Sequence, residues 1–230
     1  MKRFVIALVV LALAVPGLQA RKPKKKAGTV EGTTYTDAKY DFSLNLVDGW
    51  KYKVNKDKDN YRLVLTQKNF QVPPDYQDAP DYTKVPRMVV YADTSSMKPM
   101  PFLDSLLSDN YSSKQKKALM KEFEIFQDNT DNRKRIVPRK KKVVTINDKR
   151  GVLWTAQGKY TNYVSLSSSS TGGGEKRVYG AYGGAVVVVM NDDIMVAFHL
   201  ISEWQYFPEV LGQAMEVINS LKWPDEEEKK

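Results

Sequence analysis

The sequence predicts an α+β fold in which an antiparallel β-sheet meander has helices packed on its faces. Three observations support this prediction: apolar and polar residues alternate in several segments, long strand-like runs fill the last third of the chain, and the final segment has apolar residues at helical spacing. A chain of 230 residues is long enough to bury a sizeable core within one domain.

The first predicted strands lie between residues 35 and 65. Aromatic and aliphatic side chains alternate with polar ones in three successive segments, at 40–46, 50–54 and 61–65. A period of two is typical of a half-buried strand. Asp48-Gly49 and the charged residues 56–60 are turn signals between these segments. We therefore expect the three strands to pair in order as an antiparallel meander.

The middle of the chain, from about residue 71 to 142, is predicted to be an insertion of loops and helices. Prolines at positions 73, 74, 80 and 86 argue against a regular element there. A short strand is expected at 87–91, and Pro101 suits the first position of a helix. A second helix is expected from about 113 to 126, since apolar residues lie on one side of it and lysines on the other.

The last third of the chain carries the strongest pattern. It predicts one strand that ends at Ile146 and further strands at 151–164, 178–190 and 194–201. Asn147-Asp148 and Asn191-Asp192-Asp193 are the expected turns, and the serine- and glycine-rich residues 165–174 are an expected flexible loop. Because residues 194–201 are apolar almost throughout, we expect a central strand covered on both faces.

The final segment predicts a helix that packs on the sheet. Pro208 suits its first turn. Apolar residues then recur every three to four positions, at Val210, Leu211, Ala214, Val217, Ile218 and Leu221. Gly180, Gly183 and Gly184 interrupt an earlier strand, where we expect a bulge or the close approach of another group.

The N-terminus predicts export. Lys2 and Arg3 precede an apolar run from Phe4 to Leu18, and a small residue, Ala20, closes this three-part signal-peptide pattern over residues 1–20. The run is shorter than the about 20 residues of a membrane span, and an uncleaved anchor is the alternative. The absence of cysteine excludes a lipoprotein and disulfides, which favours a bacterial periplasmic or extracellular protein.

The remaining chain is predicted to be a basic flexible linker over residues 21–33, a single domain over 34–223 and a charged tail over 224–230. The formal net charge of +9 has two foci, and the first is the run of cations between Arg21 and Lys26. The second consists of Arg133, Lys134, Arg135, Arg139, Lys140, Lys141 and Lys142. Such a density of charge favours either full solvation or an anionic partner.

Two stretches of the chain resemble PsbP-like domains, a fold that the bacterial DcrB proteins share. The opening YTDAKYDFSLNLVDGW has an aromatic-led strand and a turn into Trp50. The end has a hairpin around INDKRG and the closing helix FPEVLGQAMEVINSLKW, with Ile218, Ser220 and Leu221 as its signature. The resemblance covers about residues 34–66 and 143–223. It implies a sheet sandwiched by helices and a non-catalytic accessory role, often on a larger assembly, and it implies no catalytic residues.

Catalytic chemistry has few candidates in this sequence. Thiol nucleophiles and zinc–thiolate sites are excluded because there is no cysteine. The single histidine, His199, lies between Phe198 and Leu200 in an apolar strand, so a core position is favoured over a general base or metal ligand. Ser108-Asp109-Asn110 and the S-x-x-K pattern that begins at Ser113 occur in the wrong order for a penicillin-recognising enzyme.

The proline-rich loop contains two other candidates. Asp75, Asp78 and Asp81 recur every three residues, but this is not the spacing of an EF-hand, and we expect an acidic surface loop rather than a calcium site. Tyr76 and Tyr82 are candidate contact residues, since exposed tyrosines are enriched at interfaces. The sequence thus predicts no metal and no cofactor.

The leading functional hypothesis is a non-catalytic accessory protein that binds a protein assembly or an anionic envelope surface through its basic clusters. Nucleic acid is not the expected partner of an exported protein that has no recognition motif. Two alternatives stay open: a hydrolase that uses a pair of carboxylates in a cleft, and a structural subunit of a surface assembly.

Overall fold

The computed structural model describes residues 25–107, 136–165 and 174–224. In these residues the strands are β1 (Gly28–Glu31), β2 (Thr34–Asp37), β3 (Ser43–Asn45), β4 (Trp50–Val54), β5 (Tyr61–Gln67), β6 (Arg87–Thr94), β7 (Ile136–Ile146), β8 (Lys149–Ser165), β9 (Glu175–Asn191) and β10 (Ile194–Glu203). The helices are α1 (Asp81–Lys84), α2 (Pro99–Leu107) and α3 (Phe207–Asn219), with a 3₁₀ turn at Pro74–Tyr76.

Two antiparallel sheets organise the described chain. The large sheet has seven strands in the order β4-β5-β6-β10-β9-β8-β7, and the small sheet has the order β1-β2-β3. The fold is therefore α+β with antiparallel sheets, as the sequence predicts. The long strands β8, β9 and β10, and the closing helix α3, are confirmed with bounds close to the predicted ones.

Strand β10 lies at the centre of the large sheet, between β6 and β9. Its residues are buried from Met195 to Glu203, which confirms the prediction of a strand covered on both faces. Alternate side chains of β10 enter two separate apolar cores, because successive residues of a strand point to opposite faces.

Different elements cover the two faces of the large sheet. On one face, termed the α3 face, the small sheet and α3 pack through residues such as Phe42, Leu44, Phe207 and Val217. On the other face, termed the α2 face, Phe102, Leu103 and Leu106 of α2 pack beside the proline-rich loop. The molecule is thus layered, with the large sheet in the middle.

A buried ion pair links the two sheets. Arg62 on β5 has no exposed surface, and its Nε and Nη2 atoms donate to the two carboxylate oxygens of Asp37 on β2 at 2.7 and 3.0 Å. Its other N–H groups donate to the carbonyl oxygens of Ala27, Asp57 and Asp59. Since the guanidinium has five N–H donors, each of them has an acceptor here.

The predicted meander is wrong in one respect. Strand β3 belongs to the small sheet, whereas β4 and β5 pair in the large one. The turn at Asp48-Gly49 carries the chain from one sheet to the other, and Gly49 has φ +84°, a conformation that favours glycine. Strand β3 pairs instead with β2, Ser43 also bridges to Lys222 just after α3, and Phe42 and Leu44 share a buried core with residues of that helix.

The predicted linker over residues 21–33 is also wrong in its last part. Gly28–Glu31 form β1, which pairs with β2. Ala27 is fully buried, and its N–H donates to the carbonyl of Asn55 at 2.9 Å. This short strand escapes the sequence pattern because only four residues form it and half of them are polar.

Several predicted segments lie outside the described residues. They are the signal peptide over 1–20, the basic residues 21–24, the helix over 113–126, most of the loop over 165–174 and the tail from 225 onward. The insertion and the single domain stay predictions. Among the described helices, none combines the length and the apolar character that crossing a membrane requires.

A candidate binding face of basic and aromatic side chains

The described part of the second basic cluster lies on β7, a strand at the edge of the large sheet. Arg139, Lys140, Lys141 and Lys142 are all exposed there. The predicted loop at this position is therefore wrong, because β7 begins at Ile136 and pairs with β8 along its whole length. Arg133, Lys134 and Arg135 lie outside the described residues.

A β-bulge decides which way these cations point. Pro138 pairs with Ala156 and Lys140 pairs with Thr155, so Arg139 is an extra residue in β7. Both Arg139 and Lys140 consequently face the α3 side of the sheet. There the Arg139 guanidinium donates to Gln157 Oε1 and lies 5.5 Å from the Trp204 ring.

The other two lysines, Lys141 and Lys142, lie on opposite faces of the sheet because successive side chains of a strand alternate. Lys142 pairs with Leu153, whose side chain lies in the core of the α3 face. Lys141 pairs with Trp154 in the core of the α2 face, and its ammonium forms an ion pair with Asp104 of α2. The sequence cluster is thus divided, with Arg139, Lys140 and Lys142 on one face.

Strands β8 and β9 form a two-stranded arm beyond the described part of β7 and beyond the end of β10. The first described residue of β7, Ile136, pairs with Gly158, and β10 ends opposite Tyr182. Residues 159–165 and 175–181 of the arm pair with each other. On the α2 face of this arm, the Tyr160 and Tyr182 rings lie directly over Gly180 and Gly158, where a Cβ atom would clash with them. The close approach that the sequence predicts is thus confirmed at Gly180, whereas Gly158 was not among the predicted glycines.

The opposite face of the arm exposes aromatic and basic side chains. Register places Lys159, Tyr163, Arg177 and Tyr179 on the α3 side, because Tyr163 pairs with Arg177 and Thr161 with Tyr179. The Tyr163 and Tyr179 side chains are 56% and 71% exposed. The Arg177 guanidinium lies 5.6 Å from the Tyr163 ring, within range of a cation–π interaction.

Helix α3 covers the sheet only up to the base of this arm. The ring of Phe207, the first residue of α3, lies against Gly183, where a Cβ would be 2.1 Å from its Cγ atom. Beyond Gly183 the side chains on this side are open to solvent. We define the basic–aromatic face as Arg139, Lys140, Lys142, Lys159, Tyr163, Arg177 and Tyr179.

The structure places the predicted contact residues Tyr76 and Tyr82 on the α2 side, away from this face. Tyr76 Oη donates to Gln205 Oε1 at 2.8 Å, and its ring packs edge-on to Tyr206. The exposed Tyr82 packs edge-on to the buried Tyr182. The two predicted sets of contact residues are therefore not brought together.

Glu203 is a buried acid beneath the proline-rich loop. It is 2% exposed, and it accepts a hydrogen bond from Thr83 Oγ1 at 2.5 Å. Burial raises the pKa of the Glu203 carboxyl, and the hydrogen bonds from the Thr83 and Tyr160 hydroxyls only partly oppose this rise. Burial, and after it the charge of Glu203, raise the pKa of Tyr160.

His199 occupies a core position in β10. It is 3% exposed and pairs with Val89 and Val186 on the neighbouring strands, in agreement with the core interpretation. Among the predicted loop acids, Asp78 forms an ion pair with Lys176 at 2.9 Å, and Asp81 forms one with Lys84 at 3.1 Å. Within the part of the chain that the structure describes, no three acidic or histidine side chains converge in a metal-binding group.

Sequence reasoning missed the aromatic half of the basic–aromatic face. Tyr163 and Tyr179 both lie in segments that the sequence predicts as strands, but their common face depends on the β8–β9 register. A signal was present in the alternation of Lys159, Thr161 and Tyr163, and of Arg177 and Tyr179. Its polar character would have indicated a solvent-facing row.

Comparisons with known proteins give similarity of structure alone. No protein-family model matches the sequence, and no curated protein matches it. The structure is similar to the cyanobacterial PsbP protein CyanoP from Synechocystis, with a TM-score of 0.47 and 11% identity over 86% of this chain and 98% of that one.

Two further solved structures are similar. LpqN of Mycobacterium tuberculosis, described as involved in cell envelope biogenesis, has a TM-score of 0.42 and 10% identity over 79% of this chain and 82% of that one. The Ran-binding protein Mog1p of Saccharomyces cerevisiae has a TM-score of 0.43 and 7% identity over 84% of this chain and 96% of that one. Because all three scores are below 0.5, no family or activity follows from them, and the resemblance to PsbP-like domains stays a prediction.

Proposed function

We propose that this protein is an exported, non-catalytic accessory protein that binds an anionic partner through the basic–aromatic face. The observation that carries the proposal is the gathering of exposed cations and tyrosines on the α3 side of β7, β8 and β9. The signal-peptide pattern of residues 1–20 supports export.

The chemistry of the face favours binding to negative charge. At the α3-facing strand positions of residues 137–146, 149–163 and 177–187 there are several cations and no acidic residue, and Glu175 takes the next position of the same row on β9. Tyrosine and arginine supply large contact areas and are enriched at protein interfaces. The positive charge there is spread over three strands, so it would steer an anionic partner toward the whole face.

We expect a partner to contact the side chains of this face rather than the open backbone edge of β7. Pro138 lacks an N–H group, Arg139 forms a bulge and three lysines follow. These are the features by which edge strands resist pairing with another strand. They protect the edge and leave the side-chain face available.

The proposal is tested by charge neutralisation with a matched control. The double variant Lys140→Gln and Lys142→Gln removes two exposed cations from the face. The control, Lys51→Gln with Lys53→Gln, removes two exposed lysines from β4 at the opposite edge of the same sheet. Binding of the full chain to soluble polyglutamate is measured at several salt concentrations.

We expect the β7 variant to weaken polyglutamate binding about 30-fold at low salt, since each of the two cations near a negative surface contributes about 1 kcal/mol, or about fivefold in affinity. The control should bind polyglutamate as the unchanged protein does. At about 1 M salt, where the Debye length is about 3 Å, the difference in affinity between the β7 variant and the unchanged protein should disappear. Equal loss in both variants, or binding insensitive to salt, would show that the basic–aromatic face is not the binding site.

A further inference from the structure

We propose that the anionic partner is a lipid surface, on which the β8–β9 arm lies with Tyr163 and Tyr179 at the level of the headgroups. This inference rests on the proposed function and narrows the partner to one class. It is argued from the position of the tyrosines, the distribution of the cations and the shape of the face.

The tyrosines are the most exposed aromatic residues of the described chain, and both lie on the arm. Both side chains lie on the α3 side of the sheet, beyond the contact between Gly183 and Phe207 at which α3 begins. Tyrosine has an apolar ring and a polar hydroxyl, and it is therefore enriched where a membrane meets water.

Cations lie beside these rings and continue from them along the same side of the sheet. Arg177 lies beside Tyr163, and Lys159 is two residues before Thr161 on the same face. Arg139, Lys140 and Lys142 continue the positive charge on the adjacent β7. A negatively charged bilayer is continuous, so it attracts all of these side chains at once, and their long stems allow the charged ends to reach the headgroups.

The shape of the face favours a surface over an inserted ligand. It is formed by alternate residues of a pleated sheet, and its two exposed aromatic rings lie on the arm. An acidic protein would also be attracted by the charge, but it would gain less from two amphipathic rings. We therefore commit to the lipid surface and treat an acidic protein as an outcome of the test.

The test uses a local probe, because the apolar N-terminal segment of the full chain could itself contact vesicles. The chain has no cysteine, so a single introduced one is labelled uniquely. Thr161→Cys places an environment-sensitive fluorophore between the two tyrosines, and Lys51→Cys places the same fluorophore on β4 at the other edge. Each labelled protein is titrated with phosphatidylglycerol vesicles, with phosphatidylcholine vesicles and with soluble polyglutamate.

We expect the fluorophore at position 161, and not the one at 51, to shift to the blue with phosphatidylglycerol vesicles and to stay unchanged with phosphatidylcholine. Adding Lys140→Gln and Lys142→Gln should raise the lipid concentration that gives a half-maximal shift about 30-fold at low salt. Each of the two cations is expected to contribute about fivefold to the affinity. Adding Tyr163→Ser and Tyr179→Ser should weaken the response to vesicles more than the response to polyglutamate.

The outcomes separate this inference from the proposed function. A response at position 161 to polyglutamate but not to phosphatidylglycerol vesicles overturns the lipid inference and leaves an acidic protein as the partner. An equal response at 161 and 51 places the lipid contact elsewhere, which also overturns the inference. If neither phosphatidylglycerol vesicles nor polyglutamate change the fluorescence of the label at position 161, both the inference and the proposed function fail.

Discussion

At the scale of single residues, Arg62 shows why a buried charge does not unfold this protein. Its guanidinium is fully buried, yet Asp37 and three backbone carbonyls accept all of its N–H groups. Tyr35 Oη and the backbone N–H groups of Lys39 and Tyr40 donate to the same carboxylate. Each partner thus depends on the other, since either charge alone would be buried without compensation.

We expect Arg62→Met to lower the free energy of unfolding by about 3–5 kcal/mol, because it leaves the Asp37 carboxylate buried without its counter-charge. Urea denaturation followed by tryptophan fluorescence measures the change. The control is Lys84→Met, which breaks the pair with the 98% exposed Asp81 side chain and should cost at most about 1 kcal/mol. Similar losses in the two variants would contradict the role given to Arg62.

Glu203 gives a prediction for the dependence of stability on pH. Its pKa is raised in the folded protein above the ordinary value of 4.5, so the native state binds this proton more tightly than the unfolded chain does. The stability that this group contributes is therefore complete below pH 4.5 and declines as the pH rises through the native pKa. Glu203→Gln cannot titrate and lacks this decline.

The measurement compares the free energy of unfolding of the unchanged protein with that of Glu203→Gln from pH 4 to pH 8. We expect the difference, unchanged protein minus variant, to fall as the pH increases. A difference that stays constant or rises across this range would mean that the Glu203 pKa is not raised by its burial.

At the scale of elements, the contact between α3 and β9 limits how far the helix covers the sheet. Phe207 lies on Gly183, and this is where the helix begins. A larger side chain at Gly183 would push the start of α3 away from the sheet. The same contact marks the boundary between the buried core and the open face of the arm.

We expect Gly183→Ala to destabilise the protein by about 1–3 kcal/mol, because the new methyl group would overlap the Phe207 ring. Gly212→Ala is the matched control, since Gly212 lies within α3 and nothing lies within 4 Å of a Cβ there. The control should stabilise the helix by about 0.5–1 kcal/mol. Thermal unfolding of both variants measures the two effects, and a Gly183→Ala protein as stable as the control would refute the close contact.

At the scale of the whole molecule, the sequence predicts elements with a strong period better than it predicts their partners. The apolar stripe of α3 and the continuous apolar run of β10 are local patterns, and both are confirmed. Strand β3 pairs with β2 in the small sheet, and it also contacts the chain just after α3, where the Asn45 N–H donates to Ser220 Oγ across 175 positions of the sequence. Such pairing leaves no mark in the local alternation.

The orientation of buried polar groups and of the side chains of the basic–aromatic face also depends on strand pairing, which the local sequence pattern does not show. Arg62 stands next to alternating apolar residues and looks solvent-facing, but a register shift between Tyr61 and Leu63 turns it inward toward Asp37. The charges of β7 are visible in the sequence, whereas their division between the two faces is a property of the β7–β8 pairing. Composition therefore predicts a basic segment, and only the structure shows its basic–aromatic face.

The single extra residue in β7 has a consequence for how this segment tolerates insertions and deletions. Because Arg139 is the one residue of this stretch without a partner on β8, removing it would join Pro138 and Lys140 into an unbroken ladder and keep every other pair. Ile136 would stay opposite Gly158 and beside the α2-face core. The loss of this one codon would thus straighten the strand without exchanging its inner and outer surfaces, whereas the same loss in an unbulged strand turns all residues on one side of it to the opposite face.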